Sequence, residues 1–130
     1  MLTIQDLISR NGIKFWAMRT DSNPYMGATM DHWRCRITNA AGKRAVVIFS
    51  MGFGHNGNTP KLEEVINCLA SDASGVENAH DFADWCSEYG YDTDSRKAEK
   101  TYKACQRQCG QLKRLFGEDY QALLFDTERL

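Results

Sequence analysis

Met30-Asp31-His32-Trp33-Arg34-Cys35-Arg36-Ile37-Thr38 is followed, after Asn39, by Ala40-Ala41-Gly42-Lys43 and then by Arg44-Ala45-Val46-Val47-Ile48-Phe49-Ser50-Met51. In the first run Trp33, Cys35 and Ile37 alternate with His32, Arg34 and Arg36, the period-two pattern of a strand with one apolar and one polar face. The second run is rich in β-branched and aromatic residues, and the glycine-containing tetrapeptide between the two is a hairpin signal. The reading predicts two antiparallel strands over 30–38 and 44–51. Ile13 to Arg19 has the same composition and supplies a third strand. Residues 21–29, with Asn23-Pro24 and Gly27, are read as a longer connection.

Upstream of the strands, Thr3 can cap a short helix with Asp6 three residues on, and Ile4, Leu7 and Ile8 have helical spacing up to the stop at Asn11-Gly12. Downstream, Gly52 to Asn58 forms a loop and Thr59-Pro60 starts a helix whose buried face is Leu62, Val65, Ile66 and Leu69, ending near Ser71. Ala79 to Tyr89 reads as a further helix with Asn78 as its cap, Phe82, Trp85, Cys86 and Tyr89 inward, and Gly90 as its stop. Asp92 or Asp94 caps a long helix that Gly117 ends, and Tyr120, Leu123 and Leu124 mark a last helical stretch. The expected architecture is α+β: a three-stranded antiparallel sheet with an N-terminal helix and a C-terminal group of about four helices. One domain is expected over residues 1–130, with helix and sheet in 1–58 and a helical part in 59–130.

The long helix carries the clearest charge pattern. At about 100° per residue, Ala98, Tyr102, Cys105, Cys109, Leu112 and Phe116 form one apolar seam, and Arg96, Lys100, Lys103, Arg107 and Arg114 fall on a stripe opposite it. Just upstream, Glu77, Asp81, Asp84 and Glu88 step by 4, 3 and 4 residues, the same stripe geometry with the opposite sign. The formal net charge of −1 conceals this segregation: residues 1–60 hold seven Lys/Arg against three Asp/Glu, 61–93 one against eight, and 94–130 eight against six. Such separation creates local potentials suited to charged partners. The competing reading is that the acids of one helix pair with the bases of the next, each exposed pair contributing about 0–1 kcal/mol.

At 130 residues, with 42% hydrophobic and 11% aromatic residues and two prolines, the chain has the composition of a folded globule and not of a disordered segment. No window approaches the roughly 18 apolar residues of a membrane helix, and the N-terminus has no signal-peptide core, so a cytosolic protein is expected. The five cysteines, at 35, 68, 86, 105 and 109, lack the spacing of a disulfide framework and are read as reduced thiols buried among apolar residues.

Motifs for chemistry are sparse. Gly52 to Asn58 precedes a helix start and could cradle an anion, but it has no Lys-Ser/Thr and does not fit GxGxxG, so a structural turn is the better account. His55 in that loop has no acid or cysteine at a useful spacing. Cys105 and Cys109 share a helix face, yet both continue the apolar seam and no further ligands are evident, so no metal or other cofactor is expected. Asp92-Thr93-Asp94-Ser95 begins like a calcium loop but has Lys97 and Lys103 where Gly and Glu are required. With no nucleophile motif and no carboxylate pair, an enzyme is not expected.

The segments Met30 to Cys35, Phe49 to Gly57, Val65 to Ala73 and Tyr89 to Glu99 together resemble a family of small, mostly uncharacterised proteins carried by tailed bacteriophages and prophages. The resemblance implies a role in the cytoplasm of an infected bacterial host. Small phage proteins of this kind act as inhibitors of host defence, anti-CRISPR proteins among them, or as accessory factors of phage DNA metabolism. The leading expectation is a binding protein that covers the nucleic-acid-binding or assembly surface of a bacterial defence protein or ribonucleoprotein, a CRISPR effector first among them. Glu63, Glu64, Asp72, Glu77, Asp81, Asp84 and Glu88 would imitate phosphates there. The alternative is a nucleic-acid-binding protein that uses Arg96, Lys100, Lys103, Arg107 and Arg114.

Overall fold

A computed structural model describes residues 2–25, 28–51 and 59–127, with the backbone alone for 21–25 and 28–30. Helix α1 (Ile4–Arg10) is followed by strands β1 (Lys14–Tyr25), β2 (Ala28–Thr38) and β3 (Arg44–Met51). Then come helices α2 (Leu62–Asn78), α3 (Phe82–Tyr89) and α4 (Arg96–Phe116), a single 3₁₀ turn (Gly117–Asp119), and α5 (Tyr120–Phe125). The α+β class and the helical C-terminal group are as the sequence predicts. The sheet is antiparallel with order β1-β2-β3.

The strand pattern decides which face is covered. Trp33, Cys35 and Ile37 of β2 and Ala45, Val47 and Met51 of β3 point inward and join Leu7, Val65, Ile66, Leu112, Leu115, Phe116 and Leu123 in one continuous core. Each large apolar side chain buried there stabilises the fold by about 1.5–3 kcal/mol. All the helices that contribute to this core lie on the same side of the sheet, so the opposite side is open. A smaller cluster of Trp85, Cys86 and Ala98 seats α3 on α4, with Phe82, Tyr91, Tyr102 and Cys105 around it.

Several element boundaries differ from the sequence reading. β1 runs to Tyr25 and β2 begins at Ala28, so most of the expected 21–29 connection is paired strand. β1 is an edge strand, where Pro24 removes no ladder hydrogen bond. Helix α2 continues past Ser71 to Asn78 because Ala73 and Gly75 keep its buried face packed, which overrides the weak helix preference of Ser71, Asp72 and Ser74. Its start is at Leu62, with Lys61 and not Thr59 at the N-cap.

α3 begins at Phe82 and not Ala79. The Asp81 carboxylate accepts from the Asp84 backbone N–H at 2.9 Å, and the Asp84 carboxylate accepts from that of His80 at 2.8 Å. Ser95, and not Asp92 or Asp94, caps α4, its hydroxyl accepting from the Ala98 N–H. At the far ends, Gly90 (φ 74°) and Gly117 (φ 52°) take the positive-φ conformations that stop α3 and α4. Thr3 and Asp6 form the expected capping box, and bonding to Thr3 holds the Asp6 carboxyl below its usual value.

All five cysteines are free thiols; Cys35, Cys86 and Cys109 are buried and Cys105 is half-buried, but Cys68 is exposed. The apolar face of α2 passes through Val65, Ile66 and Leu69, which turns position 68 outward. Among the described residues, no helix is long and apolar enough to cross a membrane.

Candidate nucleic-acid interface

The register of the sheet aligns its open face into rows. Lys14, Thr38 and Arg44 lie side by side, then Trp16, Arg36 and Val46, then Met18, Arg34 and Ile48. Neighbours across strands are about 4.8 Å apart, and successive rows about 6.6 Å apart. These three rows carry four formal positive charges and no carboxylate. They also expose large apolar groups: Trp16 is 46% exposed, Met18 48% and Ile48 64%. Isolated exposed apolar residues are ordinary, but a registered group of them among arginines is not.

The Arg36 guanidinium lies over the Trp16 ring, 5.1 Å from its centroid. This cation–π contact pairs the two side chains on the open face. A depression of about 380 Å³ opens beside them, lined by Lys14, Phe15, Trp16, Arg36, Thr38 and Arg44. Beyond the third row, His32 Nδ1 and Ser50 Oγ are hydrogen-bonded at 2.8 Å, and the Thr20 hydroxyl donates to the His32 carbonyl.

The basic stripe of α4 meets this face at one end. Arg114 donates to the Arg44 carbonyl at 3.2 Å and Gln111 to the Val46 carbonyl at 3.2 Å, so the last turns of α4 cover part of the β3 edge. Arg96, Lys100, Lys103 and Arg107 are exposed as predicted, with Lys103 also paired to Glu99 at 3.0 Å. Arg114 is thus a junction between sheet and stripe.

The acidic stripe is corrected. Glu77 lies in the last turn of α2, the chain turns extended at Ala79, Asp81 stands outside α3 as its cap, and Asp84 and Glu88 belong to α3. The spacing of 4, 3 and 4 residues therefore does not lie on one helix. Asp81 and Asp84 are occupied by backbone N–H groups. Glu63 and Glu64 are half-buried in the first turn of α2, and Asp72, Glu77 and Glu88 are exposed. Among the described residues, no salt bridge joins any of these acids to the α4 cations, so the two sets do not neutralise one another.

Cys109 lies in the seam as expected, its thiol directed at the Ala73 carbonyl, and burial pushes the Cys105 thiol up to about 11. Gly52 to Asn58, with His55, lies outside the described residues.

The sequence reading did not single out Lys14, Trp16, Met18, Arg34, Arg36, Arg44, Val46 and Ile48 as a group. The alternation that put Arg34 and Arg36 opposite Trp33 was legible. Their alignment with β1 depends on the pairing register, which no local pattern reports. Compared with family models, curated proteins and solved structures, the chain matches none.

Proposed function

We propose that the open face of the sheet binds single-stranded nucleic acid. The observation that carries this reading is the carboxylate-free set of rows in which Lys14, Arg34, Arg36 and Arg44 surround the exposed Trp16 ring. The cations neutralise phosphates and release counterions. The aromatic ring offers a π-face on which an unpaired base stacks, in the manner of other sheet platforms for single strands. A duplex keeps its bases stacked on one another and has no use for an exposed indole on a flat sheet. Arg114 leads from the face to Arg107, Lys103, Lys100 and Arg96, so the helix stripe extends the same track. The nucleic-acid alternative of the sequence reading is therefore kept and moved, with the sheet as its centre and the helix as its continuation.

Fluorescence anisotropy of labelled twelve-nucleotide oligo(dT) and oligo(U), titrated across salt, tests this. Binding whose log K falls linearly with log salt, and which weakens in Trp16→Ala, is expected. Absence of binding at low salt, or equal binding to duplex of the same length, would overturn it.

A second reading, inhibition of a CRISPR effector or other defence complex, is favoured by the unneutralised carboxylates of α2 and α3. Glu63, Glu64, Asp72, Glu77 and Glu88 would face a basic surface of the partner. Reversing Glu63, Glu64 and Glu88 to Lys spares the two caps. Phage plating on a defence-competent host should drop to the level seen without the protein, and unchanged plating would remove this reading.

A further inference from the structure

In the helical layer, a cavity of about 270 Å³ opens where α2, α3 and α4 meet. Asp72 of α2, Trp85 and Tyr89 of α3, Tyr91 beyond it, and Thr101 and Cys105 of α4 line it. It shares no residue with the sheet face. Tyr91 stacks on Trp85 with centroids 5.2 Å apart and planes 5° apart, and Tyr89 tilts against the same indole at 5.3 Å. Trp85 is buried and therefore fixed, whereas Tyr89 is 51% exposed and stands at the mouth.

The charge of this cavity is simple. Among the described residues, no salt bridge engages Asp72. Desolvation raises its carboxyl above the usual value. The Cys105 thiol, pushed up to about 11, is neutral near pH 7. Desolvation, and after it the Asp72 and Glu64 carboxylates, raise the nearby Cys68 thiol. One carboxylate thus stands beside the Tyr89 and Tyr91 rings with no cation paired to it among the described residues.

We infer that the cavity is a binding site for a methylated ammonium group, held against the Tyr89 and Tyr91 rings, which the buried Trp85 backs, and opposite the Asp72 carboxylate. Aromatic rings attract cations through their quadrupole, and quaternary ammonium groups are recognised in this way. The volume is below the roughly 300–1,000 Å³ of drug-sized sites, which suits a single cationic head. A guanidinium brings five N–H donors that require acceptors, whereas a trimethylammonium brings none and is satisfied by rings and a single charge. The same head is presented by a free quaternary ammonium alcohol such as choline and by a trimethyllysine side chain in a peptide.

Titration followed by ¹H–¹⁵N spectra tests the site, with choline and N-acetyl-trimethyllysine amide as the two probes. Either probe should saturably shift the Trp85 indole and the Tyr89 and Thr101 amides while leaving the Trp16 indole in place, and the tighter of the two names the source. The neutral isostere 3,3-dimethylbutan-1-ol should bind at least about tenfold more weakly, as should choline to Asp72→Asn. Tyr89→Ala should weaken choline and Tyr89→Phe should restore it, which separates loss of the ring from damage to the fold. The inference is overturned if neither probe shifts Trp85, if the isostere binds as well as choline, or if N-acetyl-arginine amide binds as tightly. The result is separable from the nucleic-acid reading because none of these substitutions touches the sheet.

Discussion

The guanidinium of Arg36 on β2 rests 5.1 Å from the centroid of the Trp16 ring on β1, and the two residues are direct register partners on the open face of the sheet. The guanidinium restrains the indole on one side, and the ring, 46% exposed, keeps surface open for stacking. Trp16→Ala should raise the Kd for a twelve-nucleotide single strand by roughly five- to a hundred-fold, the equivalent of about 1–3 kcal/mol per stacked base. The fold should persist because Trp16 lies outside the core. Anisotropy titration beside a thermal melt checks both halves.

The arginines of the middle strand should act on the salt dependence. Arg34→Ala with Arg36→Ala should reduce the slope of log K against log salt by about 0.7 for each phosphate of a single strand that is no longer neutralised. If the strand continues over Arg114 onto α4, Arg96→Ala with Lys100→Ala lowers the slope for a long oligonucleotide and leaves it unchanged for a short one. A slope indifferent to all four substitutions would show that these cations do not meet phosphates.

A Cβ at Gly75 would overlap the Tyr89 hydroxyl. Tyr89 is the exposed end of a side chain that can swing away, so Gly75→Ala should cost the fold little. It even carries a favourable helix-propensity change of up to about 1 kcal/mol. The displaced ring should leave the cavity mouth incomplete. The expected outcome is an unchanged or slightly raised Tm together with loss of choline binding by calorimetry; retained binding would mean that Tyr89 is not part of the site.

Asp72 reaches solvent, but partial desolvation where it lines the cavity disfavours the anion and raises its carboxyl above the unfolded value of 3.8. The folded chain then holds this proton to higher pH than the unfolded chain. The corresponding stability is complete below pH 3.8 and is lost as pH rises through the folded value. Asp72→Asn should therefore match the parent near pH 3 and melt at a higher temperature than the parent at pH 7. Equal melting points at pH 7 would show the carboxylate to be fully solvated.

Asp81 and Glu88 differ in what they do, although spacing alone makes them equivalent. Asp81→Ala removes the cap of α3 and should cost about 1 kcal/mol, whereas Glu88→Lys, on the exposed side, should stay within about 0.5 kcal/mol. Urea denaturation distinguishes the two, and equal midpoints would mean that the Asp81 hydrogen bond contributes nothing.

The strands over 30–38 and 44–51, the hairpin between them and the apolar seam of α4 from Ala98 to Phe116 could be read from residues alone. So could the stops at Gly90 and Gly117. Each is set by neighbours within a few positions, through side-chain alternation, helical spacing or the backbone freedom of glycine. The length of α2 beyond Ser71 and the pairing of Asn23 and Pro24 could not be read. There, packing against α4 and the β-ladder outweighed local preference. The acidic stripe failed for a related reason: Asp81 and Asp84 look like surface charges in a periodic pattern until backbone N–H groups are seen to occupy them.

Charge segregation and α+β class were thus determined by the order of residues, because both follow from local periodicity and composition. Which surface stays uncovered was decided by the tertiary structure. Trp16, Arg34, Arg36 and Arg44 become one face only when three strands take a common register and every core-forming helix settles on the other side. Asp72 meets Trp85 and Tyr91 only where three helices converge. Both arrangements depend on contacts between residues far apart in the chain, which carry no signature within any single segment.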